Sequence, residues 1–188
     1  MQRKSLKGFT LIELLIVIGI LAILATAVVL VLNPAELFRQ ARDSQRISDL
    51  STLKSALSLY LATVSNPALG TTINCYTHAA GVAANCDGRH VGTLVSNPLP
   101  AINGTGWVPV NFTTMPGGSP LAVLPVDPTN NVTYFYSYAL NATSLTFEIN
   151  ANMESVRYSN TGSDDVESTD GGTSVDVYET GNAPGLNL

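Results

Sequence analysis

The residues best suited to metal or redox chemistry are two cysteines and two histidines in one short stretch. They have the spacings Cys75-Tyr-Thr-His78 and Cys86-Asp-Gly-Arg-His90, and this C-x2-H…C-x3-H set has the four ligands of a zinc site. The competing interpretation is a disulfide between Cys75 and Cys86, which an oxidising compartment favours because free thiolates are lost there. Closing that loop stabilises the fold by about 2.7 kcal/mol in the chain-entropy model.

An acidic segment near the end of the chain is a second candidate site. Its acids are interleaved with Gly, Ser and Thr, which places oxygen ligands on a flexible backbone, as hard cations require. The candidate calcium ligands are Asp164, Asp165, Asp170 and Asp176. The segment lacks the twelve-residue EF-hand pattern, and a solvated acidic loop that binds no metal is the alternative.

The composition and the motifs argue against several classes of function. The chain has 188 residues, of which 45% are apolar and 12% charged, and its net charge of −5 does not indicate a nucleic-acid binder. The sequence contains no nucleophile elbow, no H-E-x-x-H motif and no phosphate-binding loop. We therefore expect a protein that is not an enzyme and that has no certain cofactor, calcium being the candidate.

An apolar run from Phe9 to Leu32 dominates the N-terminal region, interrupted only by Thr10, Glu13 and Thr26. As a helix it is about 36 Å long, which is enough to cross a hydrocarbon core of about 30 Å. Residues 1–8 contain three positive charges and no acid, which keeps the N-terminus cytoplasmic and exports the remainder. An exported domain favours the disulfide interpretation over the zinc site.

Three interpretations of the run compete. A cleaved secretory signal would use the small-x-small site Ala25-Thr26-Ala27, but the apolar run continues past it. A plain signal anchor explains the length of the run but not Glu13. A carboxylate within a bilayer costs on the order of 2.5–3.5 kcal/mol, and the run contains no Lys, Arg or His to pair with it.

The third interpretation rests on the sequence Lys7-Gly8-Phe9-Thr10-Leu11-Ile12-Glu13-Leu14-Leu15. With its basic leader, it resembles the class III signal of type IV prepilins and type II secretion pseudopilins. The resemblance implies that a prepilin peptidase cleaves between Gly8 and Phe9, that Phe9 is N-methylated, and that Glu13 acts in assembly. The acidic segment is loosely similar to the calcium-bearing C-terminal loop of major pseudopilins.

Cleavage after Gly8 would supply the missing partner of Glu13. The new α-amine of Phe9 has a reference pKa of about 8, and it lies four residues before Glu13, close to one helical turn. The amine and the carboxylate, in one helix or in neighbouring helices, can then partly offset each other's desolvation.

An amphipathic helix is predicted after Asn33-Pro34, which kinks the long helix or marks a boundary. Its apolar stripe recurs at three- and four-residue steps and consists of Ile47, Leu50, Leu53, Leu57, Tyr60, Leu61 and Val64. We interpret Arg39, Arg42 and Arg46, interleaved with acids, as a solvated face rather than as a phosphate or lipid contact.

The remaining residues must cover that stripe. The clearest predicted strands are Val132–Leu140 and Ser144–Met153, joined by a turn at residues 141–143. The second alternates apolar Leu145, Phe147, Ile149 and Ala151 with polar residues, which predicts one buried and one solvated face. The predicted fold class is α+β, with a long helix packed against a small antiparallel sheet.

The resulting organisation has four parts: a prepilin leader at residues 1–8, a transmembrane and filament-core helix at 9–32, its amphipathic continuation at 33–64, and a globular head at 65–188. The head contains a loop-rich connection, the sheet and the acidic C-terminal loop.

The resemblance implies a structural subunit of a type IV pilus or pilus-like filament. The expected partners are the membrane, a prepilin peptidase, the pilus or type II secretion machinery, and further copies of the chain. The subunit would span the inner membrane once, with its N-terminus inside, before it joins a periplasmic or extracellular filament. The alternative function is a membrane-anchored extracytoplasmic binding module that does not polymerise.

Overall fold

The computed structural model describes residues 8–183 and 185–188. The described residues divide into two compact units, which separate between Phe38 and Arg39. The leader predicted at residues 1–8 lies outside the described residues except for Gly8.

The first unit is built around the apolar helix α1, Leu11–Leu32. Its window Leu11–Val29 has a mean hydropathy of 2.8, and none of that window is buried. By length and composition, this helix can cross a membrane. Its C-cap is Asn33, whose φ of 39° is left-handed, and α2 begins at Pro34, a favourable first helical residue.

Helix α2 spans Pro34–Thr63, and it belongs to the second unit from Arg39 onward. Leu50, Leu53, Leu57 and Tyr60 are buried, as expected for the apolar stripe of an amphipathic helix. They join a core that includes Trp107, Phe112, Tyr136, Tyr138, Phe147 and Ile149.

Five strands form one sheet, in the order β2-β1-β3-β4-β5. The strands are β1 (Asn74–Thr77), β2 (Thr93–Ser96), β3 (Ser137–Asn141), β4 (Thr146–Ala151) and β5 (Tyr178–Gly181). Three of the four pairings are antiparallel, and β1–β2 is parallel. Residues 78–92, which include the short element α3 (Ala84–Asp87), provide the long crossover that a parallel pair needs. The predicted α+β class is confirmed, and the parallel pair corrects the purely antiparallel sheet.

The β3–β4 hairpin differs in two ways from its prediction. Strand β3 begins at Ser137, five residues later than expected, and β4 spans Thr146–Ala151 rather than Ser144–Met153. Phe147, Ile149 and Ala151 are buried as expected, but Glu148 and Asn150 on the opposite face are also fully buried. The prediction of a solvated face was therefore wrong, because other segments of the head cover it: the Nδ1 atom of His90 lies 3.7 Å from Glu148, and the backbone N–H of Leu188 donates to the Glu148 carboxyl group.

Candidate processing and assembly site

The peptide bond between Gly8 and Phe9 lies in a non-helical segment immediately before α1. Phe9 is 89% exposed. A Cβ added to Gly8 would meet no atom within 4 Å, and Gly8 does not adopt the positive φ that favours glycine. The described fold therefore gives no steric reason for glycine at position 8, and the bond to Phe9 is sterically open.

Thr10 and Glu13 form a capping box at the start of α1. The backbone N–H of Glu13 donates to Thr10 Oγ1, while Glu13 Oε2 accepts both the backbone N–H and the hydroxyl of Thr10 at 2.8 Å. The helix dipole favours a carboxylate in the first turn. The Glu13 carboxylate is thus bound to the backbone nitrogen of Thr10, the residue that directly follows Phe9.

The structure joins Cys75 in β1 to Cys86 in α3 by a disulfide, with a Cα–Cα distance of 6.1 Å. Both cysteines are fully buried and pack with Phe135. His78 Nδ1 lies 3.0 Å from the amide nitrogen of Asn130, and His90 Nε2 lies 3.0 Å from the hydroxyl of Ser137. Because the disulfide consumes both thiols, the Cys2His2 zinc alternative does not form within the described residues.

The four candidate calcium ligands each organise their own part of the acidic segment. Asp164 pairs with Arg157, and Asp165 accepts three backbone N–H groups and a serine hydroxyl. Asp170 accepts the backbone N–H of Gly172 and that of Glu179, and Asp176 accepts from the side chain of Asn160. Within residues 8–183 and 185–188, no group of three or more His, Cys, Asp or Glu residues is arranged to hold a metal ion. Calcium binding stays a prediction.

A buried ion network lies where the sequence indicated a solvated helix face. Arg46 is fully buried, and its guanidinium donates to Asp43, Asp127 and Glu154. Burial alone would lower the pKa of Arg46, but hydrogen bonds to these carboxylates, Asp127 first, raise it overall. The solvated-face interpretation was therefore wrong for Arg46. Asp43 lies three residues before Arg46, a spacing that favours their pairing, but local spacing does not indicate the distant acids that enclose Arg46.

Glu154 and Asp43 connect the same network to the backbone of the head. Burial alone would raise the pKa of Glu154, but hydrogen bonds from Arg42, Thr129 and Arg46 outweigh it and lower that pKa to about 2. Asp43 accepts the backbone N–H groups of Glu154 and Ser155 at 2.9 and 2.8 Å. The network thus fixes α2 to the segment that follows β4.

A second buried polar cluster lies on the sheet face opposite the apolar core. Burial raises the pKa of the Glu148 carboxyl group well above its ordinary value, with the neighbouring carboxylate of Glu179 adding to the effect. Burial lowers the pKa of His90 to about 4. Sequence reasoning missed this cluster, because the alternation in β4 placed Glu148 and Asn150 on a solvated face.

Comparison with known proteins identifies the N-terminal signal. Residues 3–29 match the family model of the prokaryotic N-terminal methylation motif. No curated protein and no solved structure gives a significant match to the chain. Together with the exposed apolar helix α1, this motif supports a type IV pilin-like prepilin precursor. It points to a structural protein, and α1 fits the membrane anchor of such a precursor.

Proposed function

We propose that this chain is a structural subunit of a type IV pilus or a pilus-like secretion filament. A prepilin peptidase cleaves between Gly8 and Phe9, and the new N-terminus of Phe9 is methylated. The mature subunits then leave the inner membrane and polymerise through α1, with the head displayed in the periplasm or outside the cell.

The observation that supports the proposal most strongly is the combination of the methylation motif with an α1 that nothing in the described chain covers. Its side chains are exposed wherever they are described, including those of Leu11, Ile23 and Val31, which are at least 73% exposed. A helix that is apolar on all sides needs a membrane or other helices around it. In this proposal, the membrane surrounds α1 before assembly, and neighbouring copies of α1 surround it in the filament.

Gly8 and Glu13 support the same proposal from opposite sides of the cleavage site. The described fold does not require glycine at position 8, which supports a role for Gly8 in recognition by the peptidase. Glu13 is an exposed carboxylate in an apolar helix, and its only described hydrogen-bond partner is Thr10. The α-amine that cleavage creates at Phe9 is the cation that this carboxylate lacks.

Mass spectrometry of the mature N-terminus tests the proposal. We expect a chain that begins at methylated Phe9. A chain that retains Met1, or one that begins at Val28 after the small-x-small site, would overturn it. In those cases the chain would be an anchored or secreted binding module that does not polymerise.

A further inference from the structure

Asn103 and Gly104 form the only Asn-Gly pair in the sequence, and they lie in a turn of the head. Asn103 is exposed, and Gly104 adopts a φ of +88°, a left-handed conformation that favours glycine. The backbone nitrogen that follows an asparagine can attack its side-chain carbonyl, and glycine hinders that approach least because it has no Cβ. The pair is therefore a candidate site of spontaneous modification.

Thr105 holds the side-chain carbonyl of Asn103 with two donors. The backbone N–H of Thr105 donates to Asn103 Oδ1 at 3.2 Å, and the Thr105 hydroxyl donates to the same oxygen at 2.7 Å. These bonds fold the side-chain amide of Asn103 back toward Gly104, the residue between them. Donors on a carbonyl oxygen stabilise the negative charge that develops there when a nucleophile adds to the carbon. The turn thus favours attack on Cγ of Asn103.

Asn111 has the same donors but a different successor. Thr113 donates its backbone N–H and its hydroxyl to Asn111 Oδ1 at 3.1 and 2.6 Å. The next residue is Phe112, whose side chain is fully buried and whose backbone N–H donates to the carbonyl of Ile102 at 2.8 Å. The fold therefore restrains this nitrogen, and Asn111 provides an internal comparison for Asn103.

We propose that Asn103 converts spontaneously to aspartate and isoaspartate in the folded head. The backbone nitrogen of Gly104 forms a bond to Cγ of Asn103, the Cγ–Nδ2 bond breaks, and ammonia leaves with the proton of the Gly104 N–H. Water then opens the resulting five-membered imide at either of its two carbonyls. One opening gives aspartate and the other gives isoaspartate, and neither step changes an oxidation state. The proposal does not depend on the proposed filament.

The conversion changes both the charge and the shape of this turn. It adds one negative charge to a head that already has more acids than bases. Aspartate keeps an acceptor oxygen for Thr105, so it leaves the turn intact. Isoaspartate carries the main chain through the former side chain, which adds a methylene to the backbone and disrupts the antiparallel bridge between Asn103 and Asn111. An old subunit therefore differs chemically from a new one.

The test is mass spectrometry of the full chain in detergent, incubated in mildly alkaline buffer and sampled over time. Chymotrypsin cleaves after Trp107, which places Asn103 and Asn111 in separate peptides, and the sample at zero time corrects for modification during digestion. We expect the Asn103 peptide to gain about one dalton roughly tenfold faster than the Asn111 peptide, because Phe112 must first give up a backbone hydrogen bond. Labelling by an isoaspartyl methyltransferase then identifies the isoaspartate fraction.

Thr105→Val separates the effect of the fold from that of the Asn-Gly pair alone. It removes the hydroxyl donor to Asn103 Oδ1, so conversion in the folded chain should slow severalfold, whereas the same variant should have no effect in urea. Thr113→Val removes the matching donor at Asn111 and is the control, which should leave the rate at Asn103 unchanged. Gly104→Ala adds a Cβ beside the attacking nitrogen and should also slow conversion.

Equal rates at Asn103 and Asn111 would overturn the proposal, and so would an unchanged rate in folded Thr105→Val. Conversion that occurs only in the unfolded chain would also overturn it. Because Thr105 is exposed, its variant keeps the test decisive if Gly104→Ala fails to fold.

Discussion

Arg46 and Asp127 are 81 residues apart in the chain and form a two-pronged ion pair inside the head. Nε and Nη2 of Arg46 donate to the two carboxylate oxygens of Asp127 at 2.7 and 2.9 Å, and both side chains are fully buried. Such a pair has little tolerance for the loss of one partner, because the other charge stays buried without compensation.

Replacement of Arg46 should therefore destabilise the head strongly. For Arg46→Met we expect the free energy of unfolding to fall by about 3–5 kcal/mol, because three carboxylates lose their shared cation. Chemical denaturation followed by the fluorescence of the buried Trp107 measures the change. Arg157→Gln, which breaks the exposed pair with Asp164, is the control and should have little effect. Equal effects of the two variants would contradict the structural role of the network.

Glu13 should be required for filament assembly through its charge. Glu13→Val eases residence of α1 in the membrane but removes the partner of the Phe9 amine, so we expect a lower yield of filaments. Glu13→Gln separates charge from helix capping, because an amide oxygen still accepts from Thr10. If Glu13→Gln assembles as well as wild type, capping and not ion pairing is the function of this residue.

His90 and Glu148 should make opposite contributions to the pH dependence of stability. Between pH 6.5 and about 4, the unfolded chain protonates His90 while the folded chain does not, so this group destabilises the fold as pH falls. Glu148 has a raised pKa, so its contribution is present below its ordinary pKa and is lost as pH rises toward neutrality. We expect wild type to show a flatter stability curve than either single variant.

Denaturation from pH 4 to pH 7.5 tests this opposition. In His90→Gln, only the Glu148 contribution remains, so stability should fall as pH rises. In Glu148→Gln, only the His90 contribution remains, so stability should fall as pH decreases. A single uncompensated proton contributes at most about 1.4 kcal/mol per pH unit. Parallel curves for all three proteins would show that the buried cluster does not titrate differently in the folded state.

The acidic segment offers a test of calcium binding. If Asp164, Asp165, Asp170 and Asp176 bind Ca²⁺, the folded state gains about 2.7 kcal/mol at a free concentration of 100 Kd. The melting midpoint of the full chain in detergent should then rise by several degrees in millimolar Ca²⁺ relative to EGTA. Magnesium is the control, because its small octahedral shell fits a loose acidic loop poorly. Identical midpoints would indicate a solvated loop, and equal shifts with both cations would indicate charge screening.

The sequence was most informative where periodicity or a fixed spacing carries the signal. The apolar run of α1, the buried stripe of α2 and the α+β class followed from local patterns, and the prepilin signal followed from Gly8, Phe9 and Glu13. The burial of Arg46 did not follow, because its enclosing acids Asp127 and Glu154 come from distant parts of the chain.

The second face of the sheet was missed for the same physical reason. Alternation in β4 indicates two faces but cannot show that His90 and the last residues of the chain cover the polar one. The parallel pairing of β1 with β2 depends on the crossover through α3, which joins these two strands. Its turn has positive φ at Asn85, Cys86 and Asp87. Asparagine and aspartate adopt this conformation singly, but local propensity does not predict three such residues in succession.

The open position of Gly8 and Phe9 has a consequence for how such a chain can change over time. No described part of the fold depends on the shape of the residue before Phe9. If a peptidase cleaves here as proposed, substitutions at position 8 can alter the rate of maturation while the stability of the head stays constant. Selection on maturation and selection on folding would then act on separate residues.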